Sequence, residues 1–296
     1  MTSDERTRAG AVEVEGARLG YRIEGHGQSC LVIGSSAYYP RVFAQELREH
    51  LQLAFVDLRQ WAASDPTFSP ERISIESYLD EIEHVRRTLE LGDVIVIGHS
   101  LHGTIALEYA RRYPEHVLGV VAIGSPPYRS HEDPSPSERF WLADASEQRK
   151  EIVARRLAEL TPEVRAALSP AELWKRRYQA SAPKIWFDPT YDDTSLWEGV
   201  EMNGPVYQRV AGELFKPYDL AQIPDEIAVP VLVVHGRYDY WESHTLWEAR
   251  LHKLPRHSFV LFERSGHMPQ LEEPERFNEE LLAWIGGLAR SSTERA

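Results

Sequence analysis

The stretch VIVIGHSLHG, from Val94 to Gly103, constrains the fold of this chain more than any other. Four apolar residues run without a polar break into a Gly-His-Ser sequence, and a helical pattern begins at Leu101. A continuous apolar run that ends in glycine is typical of a buried parallel strand. A serine at such a strand-to-helix turn has its hydroxyl lifted clear of the sheet, near the N–H groups of the next helix. Ser100 is therefore the candidate nucleophile, and the alternative is that it only caps the helix.

The composition is that of a soluble globular protein. The 296 residues suffice for one large domain or two ordinary ones, and 42% of them are hydrophobic and 27% charged. A formal net charge of -13 argues against nucleic acid and anionic membrane surfaces as partners, because both favour clustered lysine and arginine. Cys30 is the only cysteine, so an intrachain disulfide and a cysteine-based metal cluster are excluded, and we expect it in the core.

The N-terminal sequence MTSDERTRAG is charged and lacks the apolar segment of a secretion signal. No apolar stretch of the sequence reaches the length that spans a bilayer. We therefore expect a cytoplasmic protein, with the first several residues and the tail 291–296 disordered.

Strands and helices alternate through the first 125 residues and again from Val229 onwards. The apolar patterns predict strands at residues 12–15, 18–24, 30–33, 53–57, 94–98, 117–123, 229–235 and 258–262. Helices are expected at residues 42–50, 74–89, 101–112, 242–253 and 274–288. The first two strands form a hairpin, and the later alternation predicts a parallel sheet with helices on both faces.

Residues 126–225 differ in character from the chain on either side. The strand-helix alternation stops at Pro126, prolines cluster, and aromatic-rich helical segments follow. We predict a helical cap here, inserted into a core of residues 1–125 and 226–296. Half of the eight tryptophans lie in it: Trp141, Trp174, Trp186 and Trp197. Such aromatic residues fit the cap's own core and a substrate wall equally well, so their individual roles stay open.

Ser100, Asp239 and His267 each follow an apolar strand closely. Because the carboxyl ends of parallel strands share one edge of a sheet, we expect these side chains to meet there. A serine hydroxyl needs a base within hydrogen-bond reach and a carboxylate that orients the base. Taken alone, Asp239 is more typical of a turn, but its position relative to the other two favours a catalytic triad. His235 lies within the end of a strand, where a structural role is expected.

Several stretches resemble the α/β hydrolase superfamily, and nearly the whole chain fits. They are Asp57-Leu58-Arg59 with Ser64-Asp65-Pro66, Gly98-His99-Ser100, Ala106-Leu107-Glu108-Tyr109-Ala110 with Tyr113-Pro114, His235-Gly236-Arg237-Tyr238-Asp239, and Ser265-Gly266-His267 with Glu273-Pro274. The order Ser, Asp, His is also the order of that superfamily. The resemblance implies a mostly parallel, eight-stranded sheet with helices on both faces and an inserted helical cap. It does not specify a substrate.

Within the superfamily, the cap stretch Met202-Asn203-Gly204-Pro205 is similar to proline iminopeptidases. Those enzymes hold the free amino group of the substrate with two glutamates. Tyr207 and Tyr240 stand where these glutamates would lie in this chain. The resemblance therefore implies the architecture of that branch without its aminopeptidase activity.

The chain departs from the superfamily pattern near the expected oxyanion hole. Gly34-Ser35 stands in place of His-Gly, so we expect the N–H groups of Ser36 and Leu101 to hold the oxyanion. Trp61 lies in a segment that replaces a glycine-rich turn, and we expect it to pack against the cap or the pocket. The candidate substrate-contact or auxiliary residues are Ser35, Trp61, His102, Tyr207 and Tyr240.

His102 occupies the position two after the nucleophile, where the superfamily has a small residue. We favour a structural histidine that is packed or hydrogen-bonded because neighbouring residues have become smaller. The alternative is a second acid, base or substrate contact, with chemistry beyond plain hydrolysis.

The sequence thus predicts a serine hydrolase that cleaves a small, largely apolar ester, lactone or amide and needs no metal or organic cofactor. Two other functions stay open: a carbon-carbon hydrolase, lyase or cofactor-free oxygenase on the same fold that uses His102, and a non-catalytic small-molecule receptor. We expect a small-molecule ligand, no nucleic acid and no membrane as partners, and leave a homodimer open.

Overall fold

The computed structural model describes residues 7–223 and 227–293 and is built on one eight-stranded sheet. Its strands are β1 (Arg8–Val14), β2 (Ala17–Gly25), β3 (Gln28–Gly34), β4 (Leu51–Asp57), β5 (Val94–His99), β6 (Val117–Ile123), β7 (Val231–Gly236) and β8 (His257–Phe262). Their spatial order is β1-β2-β4-β3-β5-β6-β7-β8. The predicted hairpin is present, since β1 pairs antiparallel with β2. β2 also pairs antiparallel with β4, and all other pairs are parallel.

Helices lie on both sides of this sheet, as the alternating sequence pattern predicts. The helices of the core are α1 (Ile75–Thr88), α2 (Leu101–Arg112), α9 (Pro269–Glu272) and α10 (Pro274–Thr293). Ser74 caps α1 by accepting a hydrogen bond from the N–H of Ser77 at 3.1 Å. Every residue of β5 is buried, as is Cys30 on the neighbouring strand β3. The strand that leads to Ser100 is therefore a central strand with both faces covered.

Two of the predicted helices are absent. At residues 42–50 the structure has only a 3₁₀ turn, Gln45–Glu49. The buried guanidinium of Arg48 donates to the carbonyls of Pro40, Phe43 and Ala44, and these bonds take the place of a helical ladder.

At residues 242–253 the structure has two 3₁₀ turns, His244–Trp247 and Leu251–Lys253. The Ser243 hydroxyl accepts from the N–H of Thr245 at 3.2 Å, a local bond that tightens the chain where a helix would start.

The segment between β6 and β7 is helical, as the change of sequence character predicts. It contains α3 (Pro136–Asp144), α4 (Glu147–Ala158), α5 (Pro162–Ala167), α6 (Pro170–Ala180), α7 (Ala182–Ile185), α8 (Gly204–Tyr207) and a π-helical segment (Gln208–Leu214). The boundary expected at residues 225 and 226 lies outside the described residues.

Helix α10 continues to Thr293, so the prediction of a disordered tail is wrong for residues 291–293. Residues 1–6 and 294–296, where disorder was also expected, lie outside the described part of the chain. Among the helices that the structure describes, none combines the length and the apolar character needed to cross a bilayer.

Candidate active site

Ser100 lies at the sharp turn between β5 and α2. Its φ of 56° and ψ of -132° are unusual for a residue other than glycine, and such a conformation costs on the order of 1–3 kcal/mol. Its N–H donates to the carbonyl of Ile123 on the neighbouring strand at 2.8 Å, which fixes the turn to the sheet. Gly98 makes the turn feasible, because a Cβ there would lie 2.2 Å from the carbonyl oxygen of His102. The turn thus presents the hydroxyl of Ser100 beyond the carboxyl end of the strand.

Asp239 and His267 form a buried pair at the ends of β7 and β8. Oδ2 of Asp239 lies 2.7 Å from Nδ1 of His267. Oδ1 accepts the N–H groups of Trp241 at 3.0 Å and Glu242 at 2.8 Å. The Asp239 side chain is fully buried, and His267 is 1% exposed. Because two backbone N–H groups bind Oδ1, Oδ2 is left to accept a hydrogen bond from the Nδ1–H of His267.

Burial governs the protonation of this pair. It lowers the pKa of His267, because the charged imidazolium is disfavoured away from water. It also raises the pKa of Asp239, which the two N–H donors partly oppose. At neutral pH the imidazole of His267 is therefore neutral and its Nε2 is free to accept a proton.

Glu272 holds the loop that carries His267, and sequence reasoning missed it. Its carboxylate accepts the N–H groups of Phe187, Gly266 and Met268, the last two flanking His267 on either side. Burial raises the pKa of Glu272 to about 7. The only signal in the sequence is an acidic residue five positions after the histidine. Acidic residues are also common on exposed faces of helices, so this signal is weak.

A cavity of about 430 Å³ lies over the turn. The sequence-predicted residues on its wall are Ser35, Trp61, Ser100, Leu101, His102, Tyr207, Tyr240 and His267. Ser125, which follows β6, does not line the cavity and donates its hydroxyl to the carbonyl of Ile123. One cavity therefore joins the candidate nucleophile, the histidine and all five candidate auxiliary residues.

Aromatic rings form one wall of this cavity. Trp61 lies between the sheet and the helical insertion, with ring centroids 6.0 Å from Trp174, 6.0 Å from Trp197 and 6.4 Å from Tyr207. The four tryptophans of the insertion divide into two groups: Trp174 and Trp197 line the cavity, whereas Trp141 and Trp186 are buried elsewhere. Trp61 therefore packs against the helical segment between β6 and β7 and also lines the cavity.

Charged residues on the cavity wall occur in pairs. Nη1 of Arg129 lies 3.3 Å from Oε1 of Glu242, and Nζ of Lys184 lies 2.6 Å from Oε2 of Glu138. Burial raises the pKa of Glu242 to about 7, while the nearby Arg129 opposes the shift. These pairs leave the wall close to neutral, so its character is set by the aromatic rings.

The prediction that Ser36 supplies an N–H to the oxyanion is wrong. That N–H donates to Oδ1 of Asp57 at 2.6 Å, and the N–H of Gly20 donates to Oδ2 at 3.0 Å. Asp57 is a partly buried carboxylate at the end of β4, and it needs these donors because burial disfavours its charged form. Ser35 faces the cavity instead, and its hydroxyl oxygen accepts the N–H of Tyr38 at 3.3 Å.

His102 is buried and hydrogen-bonded, as the interpretation that we favoured expects. Its Nδ1 lies 2.9 Å from the hydroxyl of Tyr39, and its Nε2 lies 3.0 Å from Nε1 of Trp61 and 3.2 Å from Nε2 of Gln60. Burial lowers its pKa to about 3. Both ring nitrogens already have partners within the protein.

The small neighbour of His102 is Gly34. A Cβ at this position would lie 2.2 Å from the Tyr39 ring and 3.0 Å from Nδ1 of His102. Gly34 stands where the superfamily has histidine, and His102 stands where it has a small residue. The two departures from the superfamily pattern therefore lie in contact, and the absence of a side chain at Gly34 leaves room for the Tyr39 and His102 rings.

Tyr39 and His99 also belong to the site, and sequence reasoning assigned no role to either. The Tyr39 hydroxyl lies 3.3 Å from Nδ1 of His99, and Nε2 of His99 lies 2.9 Å from the carbonyl oxygen of His267. The signal available in the sequence for His99 was its position at the end of β5, directly before Ser100.

This fold and this cavity define an α/β hydrolase. The family model described as alpha/beta hydrolase fold matches residues 32–274. The chain therefore belongs to the alpha/beta hydrolase family, and the resemblance drawn from its motifs is confirmed.

Known proteins resemble the chain over nearly its whole length. The AB hydrolase superfamily protein YclE of Bacillus subtilis (strain 168) is 36% identical over 279 residues, which is 94% of this chain and 99% of that protein. The proline iminopeptidase of Heyndrickxia coagulans is 25% identical over 301 residues, 95% of this chain and 98% of that enzyme.

A thermophilic esterase from Thermogutta terrifontis shares the fold with a TM-score of 0.66 at 18% identity, covering 95% of this chain and 99% of the esterase chain. At this identity the likeness concerns the fold alone.

Proposed function

We propose that the protein is a serine hydrolase that cleaves a small, largely apolar ester, lactone or amide through an acyl-enzyme on Ser100. The observation that carries the proposal is the arrangement around the cavity. Ser100 lies at a positive-φ turn on the same cavity as His267, and His267 is paired at 2.7 Å with the buried Asp239. Such a nucleophile, base and orienting carboxylate are the requirements of acyl transfer by serine.

In the proposed reaction, Oγ of Ser100 attacks the carbonyl carbon of the substrate while Nε2 of His267 takes the hydroxyl proton. The tetrahedral intermediate then collapses, and His267 returns the proton to the leaving alcohol or amine. Water attacks the acyl-enzyme by the same route, which releases the acid and restores Ser100. Asp239 accepts a hydrogen bond from the Nδ1–H of His267 throughout and stabilises the imidazolium that forms.

Leu101 and Ser35 are the proposed oxyanion donors. The N–H of Leu101 is at the first turn of α2, where backbone donors lack partners within the helix and the helix dipole favours negative charge. The Ser35 hydroxyl accepts from Tyr38, so its own proton is available for donation. Both residues line the cavity beside Ser100.

The substrate class follows from the size and lining of the cavity. The proposed cap is the segment 126–225, whose described residues 126–223 supply part of the cavity wall. A volume of about 430 Å³ is at the lower end for small-molecule sites. The Tyr207 hydroxyl accepts a hydrogen bond from Nε1 of Trp174, and the Tyr240 hydroxyl donates one to the carboxylate of Asp144. Since Glu242 is paired with Arg129, no unpaired carboxylate of the described wall is placed to hold a free amino group. We therefore propose esters or neutral amides rather than N-terminal proline peptides.

The rival chemistry based on His102 loses its support from the same geometry. An acid or base must have a nitrogen free to exchange a proton with the substrate. Both nitrogens of His102 are bonded, to Tyr39 on one side and to Trp61 on the other.

A fluorophosphonate probe tests the proposed nucleophile directly. The folded protein is expected to gain one adduct, located by mass spectrometry on the tryptic peptide 88–111, whose only serine is Ser100. Protein unfolded in guanidinium is the control and is expected to gain none, because the serine is activated only in the folded site. An adduct on another peptide, or none, would refute the proposal.

A substrate panel distinguishes the hydrolase from a receptor. We expect turnover of p-nitrophenyl acetate or butyrate and little turnover of proline p-nitroanilide. Binding of small apolar esters without turnover, together with an unlabelled Ser100, would indicate the non-catalytic receptor.

The pH dependence tests the role of His267 as a base. Burial lowers its pKa, so the neutral, active form persists to lower pH and the acid limb of kcat/KM is expected below the ordinary imidazole value of 6.5. The measurement is kcat/KM for a p-nitrophenyl ester against pH, with melting curves at each pH as the control for unfolding. An acid limb at or above 6.5 would contradict the expectation.

A further inference from the structure

A continuous chain of hydrogen bonds connects the aromatic wall of the cavity to the backbone of His267. It runs from Trp61 Nε1 to His102 Nε2 (3.0 Å) and from His102 Nδ1 to the Tyr39 hydroxyl (2.9 Å). It continues from that hydroxyl to His99 Nδ1 (3.3 Å) and from His99 Nε2 to the carbonyl oxygen of His267 (2.9 Å). We refer to Trp61, His102, Tyr39 and His99 as the relay.

The two ends of the relay determine the position of every proton in it. An indole N–H only donates, so Nε2 of His102 must be unprotonated and its proton must be on Nδ1. A carbonyl oxygen only accepts, so the proton of His99 must be on Nε2 and its Nδ1 must accept. The Tyr39 hydroxyl then accepts from His102 and donates to His99. Each group between the ends acts once as a donor and once as an acceptor.

Gln60 supports this assignment independently. Its carbonyl accepts from the hydroxyl of Tyr78, which leaves its amide group facing Nε2 of His102 at 3.2 Å. Nε2 of His102 thus accepts from a second donor besides Trp61. A proton on that nitrogen would oppose both donors, so His102 is held neutral with its proton on Nδ1.

His99 connects the relay to the candidate base. Its ring lies edge-on to the ring of His267, with centroids 4.4 Å apart. In the proposed reaction His267 becomes an imidazolium, and a second positive charge at this distance would oppose that step. A neutral His99 avoids the repulsion and also fixes the carbonyl orientation of His267.

We propose that the relay positions His267, by fixing its backbone and by keeping His99 neutral, so that Nε2 of His267 faces Ser100. Trp61, His102, Tyr39 and His99 are positioning residues in this role, which rests on the proposed serine hydrolase function. The relay begins at Trp61, whose ring contacts Trp174 and Trp197 in the aromatic wall. The orientation of the base is therefore coupled to the wall that contacts the substrate.

Tyr39→Phe tests the proposal because it removes only the central hydroxyl. We expect kcat to fall about ten-fold, the equivalent of one hydrogen bond, with KM changed less than about two-fold. Tyr109→Phe is the matched control: it removes another buried tyrosine hydroxyl, bonded to Glu83 away from the cavity, and is expected to leave kcat unchanged. If Tyr39→Phe does not fold, Trp61→Phe opens the relay at its first bond.

Nitrogen-15 NMR of protein labelled at the histidine ring nitrogens tests the relay without a measurement of activity. We expect His102 protonated on Nδ1 and His99 protonated on Nε2, both neutral between about pH 5 and 8, where free imidazole titrates. In Tyr39→Phe the Nδ1 resonance of His99 is expected to move to that of a nitrogen that accepts no hydrogen bond. His99→Gln and His102→Gln assign the resonances.

The results separate the two proposals. Opposite tautomers, a charged His99 or His102, or an unchanged kcat in Tyr39→Phe would overturn the relay while wild-type hydrolysis stands. The expected tautomers in a protein that hydrolyses no ester, lactone or amide and whose Ser100 stays unlabelled by the fluorophosphonate would overturn the proposed function and, with it, the positioning role.

Discussion

Replacement of Asp239 by asparagine is expected to lower kcat by about 10,000-fold while the protein stays folded. Oδ1 of Asp239 accepts two backbone N–H groups, and only an oxygen meets both of them. The asparagine oxygen therefore stays there, and its NH₂ group faces Nδ1 of His267. His267 then carries its proton on Nε2 and has no lone pair for the proton of Ser100.

The measurement is kcat for a p-nitrophenyl ester together with the melting temperature. The fold is expected to persist, because burial already disfavours the charge that the substitution removes. Asp219→Asn is the matched control, since Asp219 also accepts a backbone N–H and a side-chain donor, Arg250, but does not line the cavity. A loss of less than about 100-fold in Asp239→Asn, with the protein folded, would contradict the triad.

The residues of the candidate triad were predictable because topology, not distance along the chain, brings them together. Ser100, Asp239 and His267 each follow a strand with a continuous apolar pattern, and parallel strands bring such positions to one edge. Leu101, predicted as an oxyanion donor because it follows the nucleophile directly, lies on the cavity wall. Patterns of buried strands are strong signals, since burial on both faces leaves few alternatives.

The errors share a different physical cause, which is competition by polar side chains for backbone hydrogen bonds. Ser36 was assigned to the oxyanion, but Asp57 takes its N–H. Residues 42–50 have a helical pattern, yet Arg48 satisfies carbonyls there that a helix would use. These outcomes depend on which polar side chains are buried next to which backbone groups, and the hydrophobic periodicity of the sequence does not contain that information.

The contact between Gly34 and His102 could be predicted only in part. The sequence indicates that something near His102 has become smaller, since a large residue occupies a tightly packed position. It does not identify the partner, because Gly34 and His102 are 68 positions apart in the numbering and meet only through the pairing of β3 with β5. Tyr39, which contacts both, carries no sequence signal of its own.

Gly98→Ala is expected to destabilise the fold by about 3 kcal/mol, the upper end of the usual cost of overpacking and a large part of the stability of an ordinary domain. The added Cβ would lie 2.2 Å from the carbonyl oxygen of His102 and 2.5 Å from the backbone nitrogen of Gly103. Both atoms are backbone, so no side chain can rotate to relieve the overlap. Movement of the turn would also break the 2.8 Å bond between Ser100 and Ile123.

Chemical unfolding of Gly98→Ala beside Gly286→Ala separates this overlap from a general effect of adding a methyl group. Gly286 lies in α10, and a Cβ there meets no atom within 4 Å, so alanine is expected to stabilise by up to about 1 kcal/mol. If Gly98→Ala unfolds at the same denaturant concentration as wild type, the expected overlap between a Cβ at position 98 and the backbone of His102 does not occur. A destabilised Gly98→Ala beside an unchanged or stabilised Gly286→Ala would show that the turn which presents Ser100 requires glycine at its start.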